Sequence, residues 1–252
     1  MDRWPDAVDR LRELPSVVLF GACRSEDFRP RLARGAARII RPQLDRATAD
    51  NIAARLAQTE LSQAMSPAEA FQRSDGLLME FLALLLKGKR LSLIIAEQAA
   101  SLAEPGRELQ RSAARLIAVA HSLGISLHGR ALAEVLAPEA SPQTVGDALS
   151  ILHGEHIVTV DGDSWRGLHE LRSRTLADAL HESPPPSFGD SLCAVSRCLA
   201  LTEASWLLRR TAERYPRWVP DVARALADHI AQPELDNAHE MAEVLEGAER
   251  AD

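Results

Sequence analysis

A mainly α-helical chain carrying one short β-hairpin is what this sequence predicts, and three observations predict it. From Asp45 onward, apolar residues recur at helical spacing over most of the chain. Serine followed by proline, the pairing of a cap with a first-turn proline, occurs at Ser66-Pro67 and again at Ser141-Pro142. Only one later stretch has the form of a hairpin: Ile157-Val158-Thr159-Val160, the tight turn Asp161-Gly162-Asp163, and a return over Ser164 to Leu168.

The elements follow in order. One short helix is expected over 6–14. Ser16-Val17-Val18-Leu19-Phe20-Gly21-Ala22 is a nearly continuous apolar run, the pattern of a strand buried on both faces of a parallel sheet. Ile39-Ile40-Arg41-Pro42-Gln43-Leu44 predicts a short final strand, so residues 1–45 read as the last part of an α/β domain. Residues 46–105 read as a compact helical piece. Its first helix is capped by Asp45 or Thr48 and carries Ala49, Ile52, Ala53 and Leu56 on one face. Ser66-Pro67-Ala68-Glu69 opens the next as a capping box. Two more helices run through Leu77, Leu78, Phe81, Leu82 and Leu85, and from Leu91 towards Leu102. Glu104-Pro105-Gly106 then breaks the chain.

Within 106–182, a helix through Leu116 and Val119 ends near Gly124, a second covers 129–136, and a third starts at Ser141 and carries Val145, Ala148, Leu149 and Leu152. Three helices, a hairpin and a closing helix through Leu171, Leu176 and Leu180 read as a winged helix. Ser183-Pro184-Pro185-Pro186 suits a stiff connector. Beyond it, 187–252 reads as a helical arm or the start of helical repeats, with helices over 192–210, 220–230 and 235–246.

Composition narrows the class. At 252 residues, 46% hydrophobic and 26% charged, the chain can bury a sizeable core. No apolar stretch approaches the ~20 residues needed to cross a bilayer, so no membrane partner is expected. The amino terminus lacks the basic-then-apolar profile of a secretory signal, and a cytoplasmic location is expected. Cys23, Cys193 and Cys198 have no metal-binding spacing and read as reduced core residues. A net charge of -7 argues against non-specific nucleic-acid binding.

Other polar constellations have plain explanations. His153-Gly154-Glu155-His156 invites a metal, yet Gly154 should break the turn that would align the rings, and no third ligand is near in sequence. No metal site is assigned. Lys87-Gly88-Lys89-Arg90 is best explained as a basic cluster complementing a helix dipole. Trp206, Tyr215 and Trp218 are best explained as packing between helices. No strand-turn-helix nucleophile elbow organises Ser, His and Asp into a hydrolase, and no catalytic residue is assigned.

Gly167-Leu168-His169-Glu170-Leu171-Arg172-Ser173, where the hairpin hands over to a helix, resembles the Met-His-Asp motif of the STAND NTPases, the switch ATPases that include NB-ARC proteins. Cys23-Arg24-Ser25-Glu26-Asp27, at the end of the first strand, resembles that family's Thr-Thr-Arg sensor. Ser74-Asp75-Gly76-Leu77-Leu78-Met79-Glu80-Phe81 resembles its Gly-Leu-Pro-Leu-Ala lid segment, with Leu78 where the family has proline. The order and spacing cover roughly 16–180. The resemblance implies an α/β P-loop NTPase remnant, a helical lid, a winged helix and a helical arm. It also implies nucleotide contacts from Arg24 to a γ-phosphate and from His169 to ADP, with Gly76 and Leu77 as possible lid contacts and Glu170 in support as a cap of the following helix.

No Gly-x-x-x-x-Gly-Lys-Ser/Thr occurs, nor an acidic strand before Ser16 to seat magnesium. The expectation is therefore the carboxyl-terminal part of an ADP/ATP-controlled switch in regulation or phage defence. Magnesium and ATP or ADP would be bound only with a P-loop domain from the same polypeptide or another subunit, and activation would bring oligomerisation. No cofactor and no ATP hydrolysis are expected of the chain alone. Two other readings compete. In a DNA-binding winged-helix regulator the third helix would read bases, but here it lacks Lys and Arg and offers only Gln143, beside an acidic turn. A structural interaction module with a decayed nucleotide site is the third.

Overall fold

The computed structural model of the chain describes residues 43–59, 61–136 and 141–229. All the described elements lie in one unit, Arg46–Asp252. The strand expected over 16–22, the helices expected over 6–14 and 235–246, and all but Gln43 and Leu44 of the strand expected over 39–44 lie outside the described residues; Gln43 and Leu44 are in no strand. The described part is mainly helical, with eleven α-helices and one three-stranded antiparallel sheet.

Helices α1 (Arg46–Leu56), α2 (Pro67–Arg73) and α3 (Leu78–Lys87) pack in sequence. Ala49, Ala70, Phe81, Leu84 and Leu85 are fully buried there. At the start of α2, Ser66 Oγ accepts the Glu69 N–H at 3.3 Å, satisfying one orphan donor of the first turn. Helix α3 stops at Gly88, whose φ of 66° is the left-handed conformation that ends helices and favours glycine. Helix α4 (Leu91–Leu102) follows after two residues. Its first N–H donates to Glu80 Oε2 at 3.0 Å, so a carboxylate from α3 does the work of a cap.

Helix α5 (Glu108–Ser122) is the centre of the unit, with eight of its residues buried. Around it run β1 (Leu127–His128), α6 (Gly129–Leu136), α7 (Pro142–Gly154), β2 (Val158–Asp161), β3 (Ser164–Gly167) and α8 (Glu170–Leu180). The hairpin turns at Gly162, φ 58°, and pairs Val158 with Gly167 and Val160 with Trp165. Strand order is β1-β3-β2, because Leu127 pairs with Trp165 and His128 with Ser164. Strand β1 is not legible in the sequence. Two residues carry no periodicity, and their pairing partner lies far along the chain.

After the prolines come α9 (Phe188–Ser196), α10 (Leu201–Arg214), a 3-10 turn (Pro216–Trp218) and α11 (Val219–His229). The single helix expected over 192–210 is in fact two. Cys198 and Leu199 are buried in the break, and the Ala200 N–H donates to Glu203 at 3.3 Å to open α10. Nor do the prolines act as a spacer. Helix α9 packs directly on α5, and one hydrophobic cluster runs from Ile95 to Leu226. No helix among the described residues is long and apolar enough to cross a membrane.

Candidate functional site

Where β3 gives way to α8, the backbone is held in one course by close packing. Gly167 is buried, and a Cβ placed there would lie 2.0 Å from Ser173 Oγ and 3.0 Å from His121 Nδ1. Only glycine lets β3 end against these two side chains, which themselves bond at 2.9 Å between His121 Nδ1 and Ser173 Oγ. Two residues later His169 is extended, φ -158° and ψ 140°, and caps α8. Its Nδ1 accepts the Leu171 N–H at 3.2 Å, and its carbonyl accepts the Ser173 N–H at 2.8 Å.

Histidine is an uncommon cap, since Ser, Thr, Asp and Asn lead at this position. The arrangement has a chemical consequence. An Nδ1 that accepts a hydrogen bond bears no proton, so the neutral ring carries its proton on Nε2. That N–H has no protein acceptor among the described residues, and the ring is exposed. It stands at the N-terminus of an eleven-residue helix, where unpaired N–H groups and the helix dipole favour an anion. Leu168 and Leu171 flank it, 44% and 56% exposed. Farther along α8, Arg172 donates to Gln98 Oε1 of α4 at 2.9 Å. Burial lowers the Arg172 pKa from the ordinary arginine value.

Glu170 does not cap α8, as the sequence reading expected. It occupies the first helical position, and His169 takes the cap. Gly76 and Leu77 lie on the turn between α2 and α3. Asp75 and Gly76 both have positive φ, 52° and 73°, and the Leu77 N–H donates to Ser74 O at 2.9 Å. Leu77 is 60% exposed, and neither residue shares a hydrogen bond with His169. Arg24 lies outside the described residues.

The remaining polar groups are largely engaged in structure. His153 Nδ1 contacts Val158 O at 3.2 Å, and its ring meets Trp165 edge-on at 6.4 Å. His156 instead ends the turn after α7 with φ 55°. Among the described residues no group of three His, Cys, Asp or Glu side chains could hold a metal ion. Lys89 pairs with Glu97 at 2.5 Å and Arg90 with Glu80 at 3.6 Å, so carboxylates answer two of the three cations of that basic cluster. Gln143 Nε2 donates to Asp147 Oδ1 at 2.9 Å, which occupies the one amide on α7 that could read a base. Cys193 and Cys198 are free thiols, and burial pushes the Cys198 pKa up to about 12.

The aromatic residues of the carboxyl region tie α10 to α5, and the segment after α10 to α9. Trp206 Nε1 donates to Leu123 O at 3.3 Å, with the Arg209 and Arg210 guanidiniums each 4.5 Å from its ring. Tyr215 packs on Phe188 at 4.8 Å, and Trp218 fills the space over Gly189, where a Cβ would approach its ring to 2.5 Å. Comparison with known protein families, with curated proteins and with solved structures finds no match to this chain.

Proposed function

We propose that this chain supplies the sensor, lid and winged-helix side of a STAND-type nucleotide switch, with His169 as its contact to the terminal phosphate of ADP. The observation that carries the reading is the His169 cap. Its Nδ1 is occupied by the helix backbone, so Nε2–H faces outward at a helix start that favours anions. The order of helix, strand, two helices and hairpin, with β1 adding to β3, supports reading 106–182 as a winged helix. In this reading 46–105 is the lid, 187–252 the helical arm, and 1–45 the end of the nucleotide-binding domain that presents Arg24. Phosphate-cradling and magnesium-binding residues would come from a P-loop domain that works with this chain, and ATP in place of ADP would open the switch.

A regulator that reads duplex DNA through α7 draws no support, since Gln143 is engaged by Asp147 and the helix has no Lys or Arg. The test uses the assembly that contains the P-loop. His169→Ala should release labelled ADP faster by about tenfold to a hundredfold, the scale of one hydrogen bond to a charged group. Arg24→Ala should instead weaken the response to ATP. Unchanged ADP release from a folded His169→Ala protein would overturn the assignment.

A further inference from the structure

At the other end of α8 from His169, the guanidiniums of two arginines of α5 have no acceptor among the described residues. Arg111 and Arg115 are one helical turn apart, so their side chains share a face. Neither guanidinium makes a hydrogen bond or ion pair with a described residue, and Nε of each is buried and unpartnered. Nε is the only nitrogen so placed on either guanidinium, so the terminal Nη groups reach solvent. Each side chain is thus packed along its stem and open at its fork. Arginine normally loses rotamer freedom on binding, and a packed stem has already lost it.

Two carboxylates lie near without bonding either fork: Glu108, whose pKa is lowered by backbone hydrogen bonds with help from the Arg111 charge, and Asp178, which acts on the same His181 as Arg115. Glu108, one turn before Arg111, accepts the Gly106 N–H at 3.1 Å. The last carbonyls of α8 are taken as well: Ala177 O contacts His181 Nδ1 at 2.6 Å, and Asp178 O and Ala179 O accept the His181 N–H. So these arginines do not cap α8, although Arg115 lies close enough to His181 to oppose its protonation. By contrast, Arg107 finds Glu155 at 2.5 Å and Arg172 finds Gln98 at 2.9 Å. Two like charges at this spacing destabilise a helix, and buried donors without acceptors add to the cost.

We propose that Arg111 and Arg115 form an oxyanion site that takes the phosphoryl group of a small phosphorylated ligand. A phosphoryl dianion matches the two positive charges. Its three terminal oxygens can also accept from both forks, where a single carboxylate has only two oxygens. The site does not depend on the His169 reading. Helix α8 has eleven residues, so its ends lie about 16 Å apart, too far for one phosphate to bridge.

The experiment uses the full chain without nucleotide. Inorganic phosphate and glycerol phosphate are titrated against chloride at equal ionic strength, following the melting temperature and the arginine Nε–H NMR signals. Both phosphates should raise the melting temperature and shift the Arg111 and Arg115 signals. A response to the inorganic ion alone would reject the ligand-borne phosphoryl group. Arg115→Met should melt higher than wild type in chloride, because a like-charge repulsion is gone, and should bind phosphate at least about tenfold more weakly. Equal phosphate responses in wild type and variant would overturn the site. Unshifted Nε–H signals in the wild-type chain would overturn it without recourse to any variant.

Discussion

Gly167 owes its place to what stands behind it. A methyl group would meet Ser173 Oγ at 2.0 Å and Ser173 Cβ at 3.3 Å, so Gly167→Ala must push β3 away from α8. Overpacking of this kind costs about 1–3 kcal/mol, read as a lower urea midpoint. Ser173→Ala removes the nearest atom and should restore part of the loss, so the two substitutions should not be additive. Additive losses would show that Gly167 matters for another reason. His181 gives a second, pH-dependent expectation. Burial lowers its pKa below the ordinary 6.5 and Arg115 lowers it further, against the opposing pull of Ala177 O, Asp178 and Asp190. Between the folded value and 6.5 the unfolded chain binds more protons, so stability rises with pH across that window. The contribution is complete above 6.5 and is lost as pH falls through the folded value. Denaturation midpoints should therefore drop on acidification, and His181→Gln should flatten that part of the profile.

Local signals made most of the helices legible. Ser66 and Ser141 cap α2 and α7 as their sequence neighbours suggest, and both act through backbone N–H groups three residues away. What stayed hidden depends on distant partners. Strand β1 exists because Leu127 and His128 find β3. The break between α9 and α10 contains no glycine or proline, and it is made by burying Cys198 and Leu199. The capping of α8 by His169 was not legible. Nothing in a histidine's sequence context says that its Nδ1 will cap a helix. The most distant relation of all is at the end of α5, whose last carbonyls are satisfied from α10: Leu123 O by the Trp206 indole N–H, and Ser122 O by Arg214 at 2.7 Å. Trp206→Phe and Arg214→Met should each cost about 1–3 kcal/mol, since each leaves a carbonyl without its donor. Losses confined to the fraying of α10, with α5 amide exchange unchanged, would argue against this linkage.

Helix α5 makes the carboxyl-terminal helices and the hairpin unit parts of one body. Its two long flanks are covered by different segments, α8 of the 106–182 stretch and α9 from beyond the prolines. Leu192 and Val195 of α9 and Leu207 of α10 are fully buried in the same cluster as Ile117 and Leu152. Cutting the chain at residue 182 would expose the α5 surface that α9 covers and leave the α5 carbonyls without Trp206 and Arg214. Small domains already bury a low fraction of their surface, so a loss on this scale falls on a narrow margin. The isolated 106–182 segment should unfold at a clearly lower denaturant concentration than the same helices do in the full chain. In the full chain, the slowest-exchanging amides of α5 and α9 should share one opening free energy. If instead 106–182 alone kept the full chain's midpoint, the carboxyl-terminal helices would be passengers. A ligand at either end of α8 could then not be felt by them. With one shared core, α8 is coupled to α9 through α5, on which both pack.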